Sequence, residues 1–175
     1  MMGRRSLSSS AQFRRGPVPG AAYWPPAMVL LASFFALWPV ISFRGWWPDM
    51  ALLFLIAWRL QRPLAFSPWF APVAGLFNDL VAGHMIGLSV FTFSLAMIVA
   101  ELIERRREWR DYASEWLVAA ILIAVAELVQ WQVARLNGAD VPLAANGAPI
   151  VIAVLLFPLI AGIVNWADAK RLRDR

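Results

Sequence analysis

Residues 150–166 have the sequence IVIAVLLFPLIAGIVNW, in which no side chain carries a formal charge. Residues 27–43, AMVLLASFFALWPVISF, form a second uncharged apolar run of similar length. An apolar run of about 17–25 residues is long enough to cross the hydrocarbon core of a bilayer as a helix. These two stretches therefore predict a membrane protein built from apolar helices.

The composition of the whole chain supports the same class. Of the 175 residues, 61% are apolar and 15% are charged, and the mean hydropathy is +0.62. A soluble domain has about 45–50% apolar and about 25% charged residues, so the composition excludes an ordinary soluble domain and a disordered chain. The net charge of +5 comes from arginine clusters between apolar runs. This pattern is typical of cytoplasmic loops at an anionic membrane, and we expect no nucleic-acid partner.

The apolar runs and the turn residues between them predict an all-α integral membrane protein, a bundle of six transmembrane helices. The predicted helices are about 27–43, 50–60, 66–82, 85–103, 114–135 and 150–166. Residues 1–26 are expected to be a disordered basic cytoplasmic leader, and residues 169–175 a basic cytoplasmic tail. The transmembrane domain then covers residues 27–168.

The second predicted helix is short, and the distribution of positive charge decides whether it spans. From Arg44 to Arg59 the chain has 16 residues, about 24 Å of helix, which is less than the roughly 30 Å hydrocarbon core. With six spans and a cytoplasmic N-terminus, 14 positive charges lie inside, and Arg44 and Arg135 lie outside. Without this span the division becomes 5 inside and 11 outside. The positive-inside rule therefore favours six spans, with both termini in the cytoplasm.

A four-residue repeat of small and acidic residues marks the third helix. Gly75, Asp79, Gly83 and Gly87 follow one another at this spacing, which places the first three on one helix face. Small residues on one face allow another helix backbone to approach closely. A charged carboxylate inside the membrane raises the free energy of the protein unless it is paired or hydrated, or becomes protonated. Asp79 is therefore interpreted as a polar clamp between helices, with a partner or ligand contact and a proton relay as alternatives.

The fifth helix has a polar face of its own. Glu127, Gln130 and Trp131 are spaced i, i+3 and i+4, and Glu127 lies at a depth similar to that of Asp79. One interpretation is a buried network that ties helices together. A second is a small polar pocket formed by Asp79, Glu127 and Gln130 and open to the outside. A third is a catalytic carboxylate pair.

The residues needed for several kinds of reactive site are scarce in this chain. It contains no Cys and a single His, His84, so thiolate chemistry and clustered histidine metal sites have no ligands. We therefore predict no catalytic residues, no metal site and no cofactor. Of the ten Trp residues, eight, including Trp58, lie near predicted helix ends, where aromatic side chains favour the membrane interface.

The order of motifs resembles that of a known family. Pro48 and Asp49 follow Trp47 and open a short apolar helix, and Arg62 and Pro63 close it. The repeat from Gly75 to Gly87 then leads into an apolar helix and an arginine-rich loop. This arrangement is similar to that of the bacterial rod shape-determining protein MreD family. The resemblance assigns Pro48, Asp49, Arg62, Pro63, Gly75, Asp79, Gly83 and Gly87 to partner binding or to a structural seam.

This resemblance implies a non-enzymatic scaffold in the inner-membrane elongation (rod) complex, which maintains cell shape and lateral peptidoglycan synthesis. The implied partners are MreC, the MreB filament, RodA with its transpeptidase, RodZ and membrane lipids. The family is also similar in fold to the substrate-binding S subunits of vitamin transporters. A small-molecule transporter subunit is therefore the main alternative function, and a membrane enzyme is a further one.

Overall fold

The computed structural model of the chain describes residues 21–37, 47–105, 112–138 and 142–173. Within these ranges the secondary structure is helical, without strands, as the sequence predicts. The six α-helices are α1 (Trp24–Ser33), α2 (Met50–Gln61), α3 (Phe70–Ala82), α4 (Leu88–Arg105), α5 (Tyr112–Leu136) and α6 (Gly147–Arg173). Short 3₁₀ turns flank α1, at Ala21–Tyr23 and Phe34–Leu37, and another precedes α6, at Leu143–Asn146.

The helix boundaries differ from the predicted ones at several ends. The α1 helix begins at Trp24 instead of Ala27, because Pro25 and Pro26 occupy its first turn, where a missing N–H costs nothing. The α6 helix continues to Arg173 and so includes most of the predicted tail. Residues 1–20 of the predicted leader and residues 38–43 of the first predicted helix lie outside the described residues.

Two helices are long and apolar enough to cross a membrane. The segments Tyr112–Leu136 and Gly147–Lys170 have mean hydropathies of 1.9 and 2.6 over their most apolar windows. Three other apolar segments are shorter, at Trp24–Leu37, Met50–Gln61 and Phe70–Ala82. The α4 helix has 18 residues, but Glu101, Glu104 and Arg105 lie in its last turns. Helix length and composition therefore identify two candidate spans among the described residues.

The short α2 helix is the centre of the bundle. Residues 51–60 are all buried, and α2 packs against α1, α4, α5 and α6. Its 12 residues extend about 18 Å. Because protein and not lipid surrounds α2, its length need not match the hydrocarbon thickness. The prediction that Trp58 lies at the membrane interface is wrong, since its side chain is 0% exposed beneath the neighbouring helices.

Two groups of polar contacts lie at opposite ends of the bundle. At one end, which we call the capped end, the beginning of α2 at Asp49 meets Asn78 near the end of α3. At the other, the ion-pair end, the last turns of α2, α4 and α6 meet. Here Arg59 pairs with Glu104, and Arg62 pairs with Asp168. The α2 helix is therefore antiparallel to α3 and parallel to α4 and α6.

Candidate functional site

Asp49 joins the beginning of α2 to α3 at the capped end. Its Oδ1 accepts a hydrogen bond from the backbone N–H of Leu52 at 3.2 Å, which makes Asp49 the N-cap of α2. Its Oδ2 accepts a second bond from the Asn78 side-chain amide at 2.8 Å. The same amide nitrogen donates to Ser89 Oγ at 3.1 Å. One chain of hydrogen bonds therefore connects α2, α3 and α4.

Asp79 caps α4 from the neighbouring helix. Its two carboxylate oxygens accept from the backbone N–H groups of Gly87 and Ser89, each at 2.8 Å. The first N–H groups of a helix have no partner inside the helix, and a carboxylate there also interacts favourably with the helix dipole. Asp79 is 1% exposed, so these bonds offset the cost of its burial.

The glycines of the repeat serve two different geometric purposes. Gly75 lies where α3 and α4 are in closest contact, and a Cβ atom there would stand 2.5 Å from the Ser89 carbonyl oxygen. Gly83 ends α3 in the left-handed conformation with a φ of 69°, and Gly87 has a φ of 103° just before α4. Together they form a short turn that places Asp79 against the beginning of α4.

A cavity of about 520 Å³ opens at the capped end. Its wall is built from the end of α1, the ends of α3 and α5, and the beginnings of α2, α4 and α6. Among its lining residues are Ser33, Asp49, Asn78, His84, Glu127, Gln130 and Trp131. Glu127 is 8% exposed, and the Arg135 guanidinium lies 5.1 Å from the centre of the Trp131 ring.

The cavity only partly matches the predicted polar pocket. Glu127 and Gln130 line it, as do Pro48 and Asp49, but Asp79 is not among its lining residues. The Asp79 carboxylate is turned instead to the backbone of α4. The structure therefore places Asp49, and not Asp79, beside Glu127 and Gln130.

Two ion pairs hold the opposite end of the bundle together. Arg59 Nη1 lies 2.7 Å from Glu104 Oε2, and the Arg59 side chain is 8% exposed. Arg62 donates from Nε to Asp168 Oδ2 at 2.8 Å, and its Nη2 donates to the same oxygen. A buried ion pair stabilises little overall, but removing one partner leaves an uncompensated charge. These pairs therefore set how α2, α4 and α6 align.

Several of these residues were not singled out from the sequence. Asn78, Ser89 and Asp168 have no motif of their own in the sequence. One signal was available for Asn78 and Asp168, because each is a polar residue within an apolar helix and needs a partner. The sequence could not identify that partner. Pro63, which the resemblance also assigns to the seam, follows Arg62 and is half-buried.

The motifs at both ends of α2 and the turn between α3 and α4 are those on which the family resemblance depends. A family model for rod shape-determining protein MreD matches residues 24–166 of the chain. The match begins at the first residue of α1 and extends well into α6, so it covers most of the chain. No curated protein and no solved structure matches the chain. The chain belongs to the rod shape-determining protein MreD family.

Proposed function

We propose that this protein is a non-enzymatic, multi-pass scaffold of the bacterial inner membrane, which binds MreC within the elongation complex. In this role it would maintain cell shape and support lateral peptidoglycan synthesis, with MreB, RodA and its transpeptidase, and RodZ as further partners. The match of the family model to residues 24–166 carries the proposal, because it covers the bundle as a whole and not one motif.

The proposed topology has six spans with both termini in the cytoplasm. The alternating directions of α2, α3 and α4, with α6 parallel to α2, are compatible with it. With the ion-pair end facing the cytoplasm, the arginine-rich segment 105–110 lies inside, in agreement with the positive-inside rule. The capped end and its cavity then face the periplasm.

A structural role for the buried charged groups supports a scaffold. The Asp49 and Asp79 carboxylates accept backbone and side-chain N–H groups at helix ends, and Arg59 and Asp168 are ion-paired. Such contacts define helix register and orientation. A scaffold needs a defined helix register and orientation, because a partner helix can recognise only a surface of constant shape.

The surface on which a partner helix could pack is apolar. Large apolar side chains are exposed along α3, α5 and α6, for example Leu80 at 65%, Ile121 at 49% and Leu159 at 62%. In a membrane, this surface faces lipid or the span of a partner. Helices in a membrane associate through close packing, because apolar side chains gain no hydrophobic free energy when they move from lipid into a helix contact.

Site-specific photocrosslinking in a rod-shaped host tests MreC binding directly. A photoreactive residue is placed at Leu80, Ile121 or Leu159 in turn, and adducts are identified with an antibody to MreC. We expect an adduct from at least one of these exposed positions. Leu55, which is 1% exposed at the centre of α2, is the matched control and should give none.

Depletion of the protein in the same host tests the wider role. We expect cells to lose their rod shape and lateral wall synthesis to fall. Persistence of rods with normal wall growth, or the absence of MreC adducts from all three exposed positions, would contradict the proposal.

The cavity at the capped end favours a second candidate function, a substrate-binding subunit of a small-molecule transporter. Its volume of about 520 Å³ lies within the usual range of small-molecule sites, about 300–1,000 Å³. Purification in a mild detergent separates the two functions. Recovery of MreC supports the scaffold, whereas recovery of an ATPase pair, with thermal stabilisation by a vitamin-sized molecule, supports the transporter subunit.

A further inference from the structure

Two polar groups beside the cavity have no hydrogen-bond partner among the described residues. They are Ser33 Oγ, on α1, and Gln130 Nε2, on α5. Ser33 is 2% exposed, and both residues line the cavity. A buried polar group without a partner loses its hydrogen bonds to water and gains none in return, so it destabilises the fold. Such groups in a roomy cavity indicate a polar occupant.

The charged residues of the cavity indicate which kind of occupant fits. Asp49 and Glu127 contribute two carboxylates to its described wall. Charge-assisted hydrogen bonds from a cation to a carboxylate are about twice as strong as neutral ones, and more so where water is partly excluded. A ligand with a positively charged donor would therefore complement this wall.

Aromatic side chains complete the same wall. Trp131 lines the cavity, and the Arg135 guanidinium lies 5.1 Å from the centre of its ring. Arg135 therefore already supplies a cation–π partner for this ring. Trp47 and Phe35 add apolar lining to the cavity.

We propose that the cavity between Ser33, Asp49, Glu127 and Gln130 binds a primary ammonium group with an oxygen acceptor a few atoms away. The ammonium donates hydrogen bonds to the carboxylates of Asp49 and Glu127. Gln130 Nε2 donates a hydrogen bond to the oxygen acceptor of the ligand. Ser33 Oγ can donate a hydrogen bond to the same oxygen or accept one from the ammonium. This site does not depend on the proposed role in the elongation complex.

A primary ammonium beside an oxygen acceptor can come from two sources. One is a free amino alcohol or its phosphate ester, and the other is the headgroup of an ethanolamine phospholipid. Both sources present the same ammonium group and oxygen acceptor to the cavity, so the experiment has one arm for each source.

The first arm measures thermal unfolding of the full-length protein in detergent with increasing 2-aminoethanol or phosphoethanolamine. We expect the midpoint to rise with ligand concentration, and ethylene glycol and choline to have much smaller effects, since neither has an ammonium N–H. The second arm compares nanodiscs of phosphatidylethanolamine with nanodiscs of phosphatidylcholine. A higher midpoint in the ethanolamine lipid, with no further rise on adding free amine, identifies the headgroup as the source. A rise with free amine in both lipids identifies the free molecule.

Two cavity variants and one control variant test whether the amine binds in this cavity. Glu127→Gln keeps the shape of the side chain but removes its charge, and we expect the apparent affinity for the amine to fall roughly tenfold or more. Glu115→Gln makes the same change on the same helix, away from the cavity, and should leave the affinity within about twofold. Gln130→Leu, which removes the amide donor, is the second cavity variant and should also weaken binding. It keeps the test decisive if Glu127→Gln fails to fold.

Several outcomes would overturn the proposal. Equal stabilisation by ethylene glycol and 2-aminoethanol would show that the ammonium is not recognised. Unchanged affinity in folded Glu127→Gln and Gln130→Leu would place the binding elsewhere. If neither the free amine nor the lipid headgroup changed the unfolding midpoint of the wild-type protein, the cavity would bind no primary ammonium group. None of these results bears on MreC binding, which is measured by crosslinking.

Discussion

The Asp79 carboxylate, near the end of α3, accepts a hydrogen bond from the backbone N–H of Ser89, in the first turn of α4, at 2.8 Å. Its other oxygen accepts from the N–H of Gly87. An acidic residue of one helix thus caps the next helix, and the turn between them is closed by the same contacts.

Removal of the Asp79 carboxylate should destabilise the bundle. Asp79→Ala leaves two N–H groups at the beginning of α4 without their acceptors, and we expect the free energy of unfolding to fall by about 2–4 kcal/mol. Asp79→Asn keeps one acceptor oxygen and should cost less. The measurement is reversible unfolding of the purified protein in detergent micelles.

Asn137→Ala is the control for the Asp79 variants. The Asn137 side chain, just after α5, is exposed and donates to the Val133 carbonyl and, at 3.9 Å, to Met85 Sδ, so its loss should cost within about 0.5 kcal/mol. Equal stability of Asp79→Ala and Asn137→Ala would show that capping of α4 contributes little.

The close contact of α3 with α4 should make Gly75 intolerant of any side chain. In Gly75→Ala the new Cβ would lie 2.5 Å from the Ser89 carbonyl oxygen and 2.6 Å from Val90 Cα, so the helices must separate. Overpacking of this kind costs about 1–3 kcal/mol. We expect a lower thermal midpoint for this variant.

Gly162→Ala is a matched control, because Gly162 also lies within a helix, but a Cβ atom added there would meet no neighbouring heavy atom within 4 Å among the described residues. This change should be neutral or stabilise by up to about 1 kcal/mol, since alanine favours helix more than glycine does. A Gly75→Ala protein as stable as Gly162→Ala would exclude the proposed tight seam.

The pair of Arg62 and Asp168 should show energetic coupling in a double-mutant cycle. Asp168 is 6% exposed, so Arg62→Leu leaves a buried carboxylate without this cation. Because the Arg62 side chain is 49% exposed, water reduces the loss, and we expect about 1–3 kcal/mol.

The second half of the cycle is Asp168→Asn, alone and together with Arg62→Leu. The double variant should be more stable than the sum of the two single losses implies, by about 1 kcal/mol. Strict additivity of the unfolding free energies would mean that the two side chains do not stabilise each other.

The absence of cysteine from the sequence allows the proposed topology to be tested with single introduced thiols. Met85→Cys lies at the capped end, where Met85 is 55% exposed, and Ala169→Cys lies in an exposed position at the ion-pair end. A membrane-impermeant maleimide should label the first in intact spheroplasts. It should label the second only after the membrane is permeabilised. The reverse pattern would invert the proposed orientation.

The helical, membrane-embedded character of the protein could be predicted from local sequence, because apolar content and run length depend only on neighbouring residues. The same is true of the turn at Gly83, since a positive φ favours glycine wherever it occurs. The fourth helix, by contrast, begins at Leu88 and not at residue 85, so Gly87 lies before this helix and not inside it. Asp49 before an apolar run likewise indicates a helix N-cap from its residue type and position.

Contacts between distant residues could not be predicted in this way. Arg62 and Asp168 are 106 positions apart, and only the packing of α6 beside α2 brings them together. Trp58 lies near a helix end, which indicated an interfacial position, yet the helices around α2 cover it completely. The composition of the cavity wall depends on the packing of six helices in the same way.

Asp79 illustrates the difference best. Its place in a glycine-spaced repeat, visible in the sequence, predicts a residue at a helix contact, because helical periodicity is a local property. Whether its carboxylate faces the cavity or the next helix depends on the rotation of α3 against α4. That rotation is set by the close approach at Gly75 and by the positions of the Gly87 and Ser89 N–H groups, which are features of the folded chain alone.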